Sequence, residues 1–376
     1  MSTGGGVVDA LTVPSHPTTG RVLPVDVAGI GVALPEEVVT NDDWAAVLDT
    51  SDEWIVSRTG IRERRRADPG QATSDLAVDA AVAALADAGV DAADLAAVVL
   101  ATTTPDHVIP QTAPLVAARL GSEAAAFDVG AGCSGFVYGL AVAAGMAVGL
   151  LPGPVLVIGA ETLTRWIDRA ERDTAVLFGD GAGAFVLRPG AGALGPFDLG
   201  CDGSLADIVF VPAGGSRRPP GATVAARDLT LRMEGRAVYR QAVRRMVSSS
   251  QAVLESAGLG VQDVDLLVGH QANARILEAV AGRLGIGEER AFICVDRYGN
   301  TSAASIPLAL HEARTQGRVR DGDRVLLTAF GAGLTWGSCL LVWGGHPGER
   351  ARHRDRTAGV TPTTDRLGSR PPVSRG

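Results

Sequence analysis

The chain of 376 residues contains no lysine; all 34 of its basic residues are arginine. This absence removes a block of chemistry. There can be no lysine Schiff base, no pyridoxal-phosphate anchor, no Walker A lysine and no kinase phosphate-binding lysine. Cysteine is scarce as well. Cys133, Cys201, Cys294 and Cys339 lie far apart, and none belongs to a C-x-x-C pair. Neither a zinc knot nor a disulfide framework is expected, no metal or resident cofactor is called for, and reduced cytoplasm is the simplest compartment. The first twenty residues lack the basic stretch of a secretory signal. The formal charge of −8 argues against a general nucleic-acid binder.

What is present is apolar. A hydrophobic content of 46% supports a sizeable core, and the length suits two domains or one large duplicated one. Residues 1–20 are Gly/Thr/Pro-rich, and residues 346–376 mix seven arginines with prolines; both are expected to be disordered extensions. The centre of the chain is AFDVGAGCSGFVYGLAVAAGMAVGLL, residues 126–151. A short strand runs into a glycine turn, then Cys133, then about 18 uncharged residues. A cysteine at a helix N-terminus feels a partial positive charge that favours thiolate, and small neighbours leave it approachable. Two plainer readings compete. A lone apolar cysteine is commonly inert core, and a run of this length approaches that of a membrane span. Four glycines and the lack of flanking basic residues favour a helix buried on all sides instead.

The remaining periodicity alternates strands and helices. Helices are expected from Thr40 through Leu48 and over residues 52–59, 73–89, 113–120, 237–257, 276–284 and 302–315. Strands are expected over 22–34, 95–102, 155–159, 266–269, 291–295, 325–330 and 337–343. FGDGAGA, at Phe178, reads as a tight turn between strands, since no helix follows for a nucleotide loop. Residues 191–230 read as a connecting region.

The halves repeat at a spacing of about 170, with GVDAADL from Gly89 answering GVQDVDL from Gly260, FDVGAGCSG from Phe127 answering CVDRYGNTS from Cys294, and GPVLVIGAET from Gly153 answering GDRVLLTAFGAG from Gly322. Two stacked α/β halves with a mostly parallel sheet and a buried helix layer between them are the expected result. On this alignment Cys133 and Asn300 occupy one station of the two halves, and His270 lies opposite Thr103. Pseudo-twofold packing brings these strand ends together. A thiol, an imidazole and an amide form a recognised grouping for acyl transfer.

The segments DEWIVSRTGIRERR, DVGAGCSGF, FGDGAGA, GHQANARI, GNTSAAS and FGAGLTWGS, in this order, closely resemble those of β-ketoacyl-acyl-carrier-protein synthase III, a thiolase-fold condensing enzyme. The resemblance covers residues 21–345. It implies a five-layered αβαβα thiolase fold with duplicated halves, residues 21–190 carrying the cysteine and 191–345 the histidine and asparagine. It implies a homodimer that uses acyl-CoA and malonyl-acyl carrier protein, with no membrane or nucleic-acid partner. The catalytic residues would be Cys133, His270 and Asn300, with the backbone N–H groups of Cys133 and Ala332 as oxyanion hole; the family usually has glycine where Ala332 stands. Trp54, Arg58, Arg172 and Arg275 fall on CoA positions. Arg240 falls on a carrier-docking position, and Ile109 and Phe330 on acyl-pocket positions. The implied activity starts fatty-acid or polyketide synthesis by decarboxylative condensation. The alternatives are an acyltransferase of the same fold that forms an ester or amide, and a silent partner that only binds the carrier.

Overall fold

The computed structural model describes residues 20–344; both expected extensions lie outside this range except for Gly20. The elements in chain order open with β1 (Leu23–Ala33), β2 (Glu37–Thr40), α1 (Asn41–Ala45), α2 (Asp52–Thr59), β3 (Glu63–Arg66), α3 (Thr73–Ala88), β4 (Ala97–Ala101) and α4 (Thr112–Leu120). Then come β5 (Ala125–Val129), α5 (Gly135–Gly145), β6 (Val155–Glu161), α6 (Arg172–Ala175), β7 (Gly181–Cys201), β8 (Val209–Phe210), β9 (Arg232–Met233) and α7 (Gly235–Ala257). The last are β10 (Leu266–Gly269), α8 (Ala274–Leu284), β11 (Ala291–Phe292), α9 (Val295–Tyr298), α10 (Ser305–Thr315), β12 (Arg324–Gly331) and β13 (Thr335–Val342).

Local chemistry accounts for the expected helices. Thr40 and Asp43 close a capping box at the start of α1, and Ser51 caps α2 by accepting from the Trp54 N–H. Glycine in the left-handed region ends α2, α3, α4, α7 and α8, where a side chain would be strained.

The layers follow from the period-two burial of the strands. In β4, Ala97 and Val99 face one core while Val98 and Leu100 face another. In β12, Val325 and Leu327 share the first core, and Leu326 and Phe330 turn to a third. The shared core holds α5 and α10 residues, including Phe136, Leu140, Ile306 and Leu310. The outer cores are closed by α3 and α4 on one side and by α7 and α8 on the other. The result is αβαβα, the thiolase fold with its two halves stacked on a common helix layer.

Three expectations about the strands need correction. The sheet is mixed. β4 pairs in parallel with β5 and β6, and β10 with β11 and β12, while β7 runs antiparallel to β1, β6 and β13 and β12 antiparallel to β13. Residues 191–201 are not a connection. They continue β7, which pairs with β6 early and with β13 late, so the 190/191 boundary falls inside one strand serving both halves. FGDGAGA is no hairpin turn: Phe178 makes an isolated parallel bridge to Asn300, and Gly181 opens β7.

The stretch Gly132–Leu150 is long and apolar enough to cross a membrane by length and composition. Here Phe136, Val137, Leu140, Ala143 and Ala144 bury one face of it in the shared core. It is not buried on all sides, because Val142, Leu150 and Leu151 are exposed.

Candidate active site

Cys133 sits in a 3-10 turn, Gly132–Ser134, between β5 and α5. The answering turn is Ser302–Ala304, ahead of α10. The offset is therefore 170 at this point, and Ala303 is the counterpart of Cys133. Asn300 stands three residues upstream, not at the same station. The 3-10 turns Ala92–Asp94 and Val261–Asp263 likewise set His270 opposite Ala101 and not Thr103.

The convergence itself holds. Cys133, His270 and Asn300 line one cavity of about 950 Å³, together with Thr103, Ser302, Phe330 and Ala332. Two glycines make the closure possible. A Cβ on Gly132, at φ +54°, would lie 2.8 Å from the Ala332 nitrogen. A Cβ on Gly331 would lie 2.5 Å from the Cys133 nitrogen. Only hydrogen at both positions lets the end of β12 lie against the cysteine turn, which sets the Cys133 and Ala332 backbones side by side. Ala332 itself has no positive φ, so alanine is unstrained there.

Each polar group is oriented by a neighbour. The His270 Nδ1 lies 2.7 Å from Ser305 Oγ, which also accepts the Gln271 N–H at 3.3 Å. The serine proton is then free to go to Nδ1, which places the imidazole proton on Nε2. Burial holds the imidazole at about 4, below its usual 6.5, so it is neutral near pH 7. Asn300 Oδ1 accepts the Ser302 N–H at 2.9 Å, leaving the amide nitrogen as the end available to the cavity. Asn300 also receives backbone order from the bridge to Phe178, its N–H donating to Leu177 O and its carbonyl accepting from Gly179.

Cys133 departs from expectation. Burial pushes its thiol up to about 11, the Ser302 hydroxyl pulls it down and the Glu161 carboxylate adds to the rise. The turn does present the sulfur, but the site holds it as a thiol and not as a ready thiolate, because desolvation outweighs the helix terminus.

At the mouth, Arg58 and Arg172 both lie against the Trp54 ring, 4.9 and 4.5 Å from its centre. The Arg172 guanidinium donates to Asp49 O, and the Asn273 amide donates to the Arg58 carbonyl, which ties the end of α2 to the start of α8. Arg240 on α7 and Arg275 on α8 line the same opening. Phe330 lines the interior. Ile109 does not: it stands 87% exposed on the loop between β4 and α4, outside the cavity of its own chain.

Sequence reasoning passed over Glu161, Ser302 and Ser305. A single carboxylate closing the otherwise apolar strand VLVIGAE was the available signal for the first. Nothing in the spacing pointed to the two serines.

Models of the 3-oxoacyl-[acyl-carrier-protein] synthase III family match residues 127–203 and, for its C-terminal part, residues 254–343. Beta-ketoacyl-[acyl-carrier-protein] synthase III 5 of Streptomyces coelicolor is 54% identical over 84% of this chain and 96% of its own. The synthase III of Caldanaerobacter subterraneus is 49% identical over 84% and 97%. Among solved structures, 3-oxoacyl-[acyl-carrier-protein] synthase III of Aquifex aeolicus superposes with a TM-score of 0.79 at 42% identity, over 85% of this chain and all of that one. The priming β-ketosynthase of the R1128 polyketide pathway does so with 0.79 at 36%, over 87% and 98%. With its motifs in order, its layers stacked on one helix pair and relatives matching along nearly their whole length, the chain belongs to the β-ketoacyl-acyl-carrier-protein synthase III family of condensing acyltransferases.

Proposed function

We propose that the chain primes fatty-acid or polyketide synthesis in two half-reactions at Cys133. In the first, the sulfur attacks the thioester of an acyl-CoA; the acyl group moves to Cys133 and the thiol proton ends on the departing CoA sulfur. In the second, malonyl-acyl carrier protein loses carbon dioxide, and the resulting carbanion attacks the acyl carbonyl. A β-ketoacyl carrier forms, and Cys133 leaves and is reprotonated. The observation that carries this reading is the meeting of Cys133, His270 and Asn300 in one cavity whose mouth is cationic and aromatic.

The decarboxylation builds negative charge on the malonyl thioester oxygen. The Nε2–H of a neutral His270 and the amide of Asn300 are donors suited to that oxygen, each worth roughly 3 kcal/mol in such sites. A neutral imidazole suits this role, since an Nε2–H aimed at the oxyanion needs no prior proton transfer. The Cys133 and Ala332 N–H groups would serve the tetrahedral intermediate of each acyl transfer. Trp54, Arg58, Arg172 and Arg275 suit the adenine and phosphates of CoA. Arg240 suits an acidic carrier, for which a local basic patch is enough despite the overall charge of −8. The reading includes a homodimer in the cytoplasm, because Ile109 can shape an acyl pocket only from a second copy. It includes no cofactor.

The test is a chase. Labelled acyl-CoA is added, followed by malonyl-acyl carrier protein. Label that moves from Cys133 into a β-ketoacyl product is the expected result. Label on Cys133 that never chases would point to an ester- or amide-forming acyltransferase, and no label to a silent carrier-binding protein. His270→Ala should keep acylation and lose condensation; equal loss of both contradicts the role given to His270.

A further inference from the structure

Behind the cavity wall lies a carboxylate that neither half-reaction uses. Glu161 ends β6 with no exposed surface. It accepts from the Thr103 N–H at 3.1 Å, the Thr103 hydroxyl at 2.9 Å, the Thr104 hydroxyl at 2.8 Å and the Ser302 hydroxyl at 2.9 Å; the Thr102 hydroxyl is at 3.4 Å. Among the described residues it has no ion-pair partner. A carboxyl group buried without a cation is costly, and is tolerated where donors converge on it from fixed directions. The donors here come from both halves of the fold: the threonines from the loop after β4, Ser302 from the turn before α10.

Ser302 is singular in its own right. It is the only non-glycine with a positive φ among the described residues, at 49°. A serine in this region carries backbone strain and persists where its surroundings hold it. Two bonds hold it: its hydroxyl donates to Glu161, and its N–H donates to Asn300 Oδ1. Its side chain lines the same cavity as the Cys133 thiol. The strained serine thus lies between the buried carboxyl and Asn300.

We propose that Glu161 is a positioning residue for the condensation step: its carboxyl clamps Ser302 in the left-handed conformation and, through the Ser302 N–H, fixes the orientation of the Asn300 amide. The clamp joins the two halves at the point where the reaction needs both. Without it Ser302 relaxes, the Asn300 oxygen loses its N–H partner and the amide rotates away from the malonyl oxygen. Burial raises the protonation range of the same carboxyl, and in its ionised form it opposes thiolate at Cys133.

Two variants test this in the full chain, with thermal melting to confirm folding. Glu161→Gln keeps the volume but removes the charge and one acceptor. Ser302→Ala removes the clamped hydroxyl and leaves the other donors to Glu161. The first readout rests on the proposed two-step reaction. Acylation of Cys133 should stay within about 3-fold of wild type, while condensation drops by about 10- to 100-fold, the scale expected of a misplaced group near a reacting centre. The double variant should be no worse than the worse single variant; losses that multiply show independent roles and overturn the proposal. The second readout needs no substrate: the pH profile of Cys133 alkylation by iodoacetamide should move to lower pH in Glu161→Gln. An unmoved profile overturns the proposal. If wild type takes label from no acyl-CoA, the reading of the reaction fails, and the alkylation profile still decides on the clamp. If Glu161→Gln does not fold, Ser302→Ala decides alone: condensation lost with acylation kept supports the clamp, and unchanged condensation refutes it.

Discussion

A single methyl group at Gly331 should disable the enzyme without changing any of its polar side chains. Gly331 ends β12, and a Cβ there would fall 2.5 Å from the Cys133 nitrogen, 2.9 Å from the Ser134 nitrogen and 3.1 Å from the Gly132 carbonyl carbon. Ordinary non-bonded contact begins near about 3.5 Å, so roughly 1 Å must open between the two segments. β12 is paired to β10 on one side and β13 on the other, so the displacement falls on the cysteine turn. A 1 Å error at a reacting centre costs about 100-fold in rate, or about 2.7 kcal/mol of barrier. Single-turnover transfer from labelled acyl-CoA to Cys133 in Gly331→Ala should slow by that factor, with the melting temperature measured beside it. Ala332→Gly is the paired control. It keeps the N–H and relieves no strain, so its rate should stay within about 3-fold. A folded Gly331→Ala protein that acylates at the wild-type rate would refute the claim that close approach of the two turns builds the site.

Other consequences can be measured separately. The His270 imidazole sits at about 4 in the folded protein against 6.5 when free. As pH falls below 6.5 the unfolded chain takes up a proton that the native state refuses. Stability from this group is full above 6.5, declines between 6.5 and about 4 by roughly 3 kcal/mol, and levels off below that. Urea unfolding of wild type and His270→Gln across this window should show that slope only in the former. Trp54→Ala should raise KM for acyl-CoA by about 10-fold with kcat little changed, as loss of a stacking partner at the mouth implies. Arg240→Glu should slow the second half-reaction by about 10-fold at low salt and leave acylation by acyl-CoA intact. Raising the salt should shrink the difference, and a salt-independent loss would count against electrostatic docking.

What could be read from the sequence was whatever depends on local pattern or composition. The absence of lysine narrowed the chemistry, the strand–glycine–cysteine–helix unit singled out Cys133 as the candidate nucleophile, and a repeat of about 170 residues announced two stacked halves. Even Trp54, Arg58 and Arg172 were nameable before their stacking was visible, since motif order carries position along the chain. What only the tertiary structure decided involved contacts between distant segments or the loss of water. That residues 191–201 extend β7 depends on β13, more than 130 residues away, as their partner. The true counterpart of Cys133 is Ala303, because helix register and not residue similarity sets the repeat. The helix after Cys133 has one exposed face, which its uniform apolarity concealed. The direction for the thiol reversed for the same reason: a helix terminus is legible in sequence, but the desolvation that outweighs it exists only once both halves meet around the cavity that Cys133 lines.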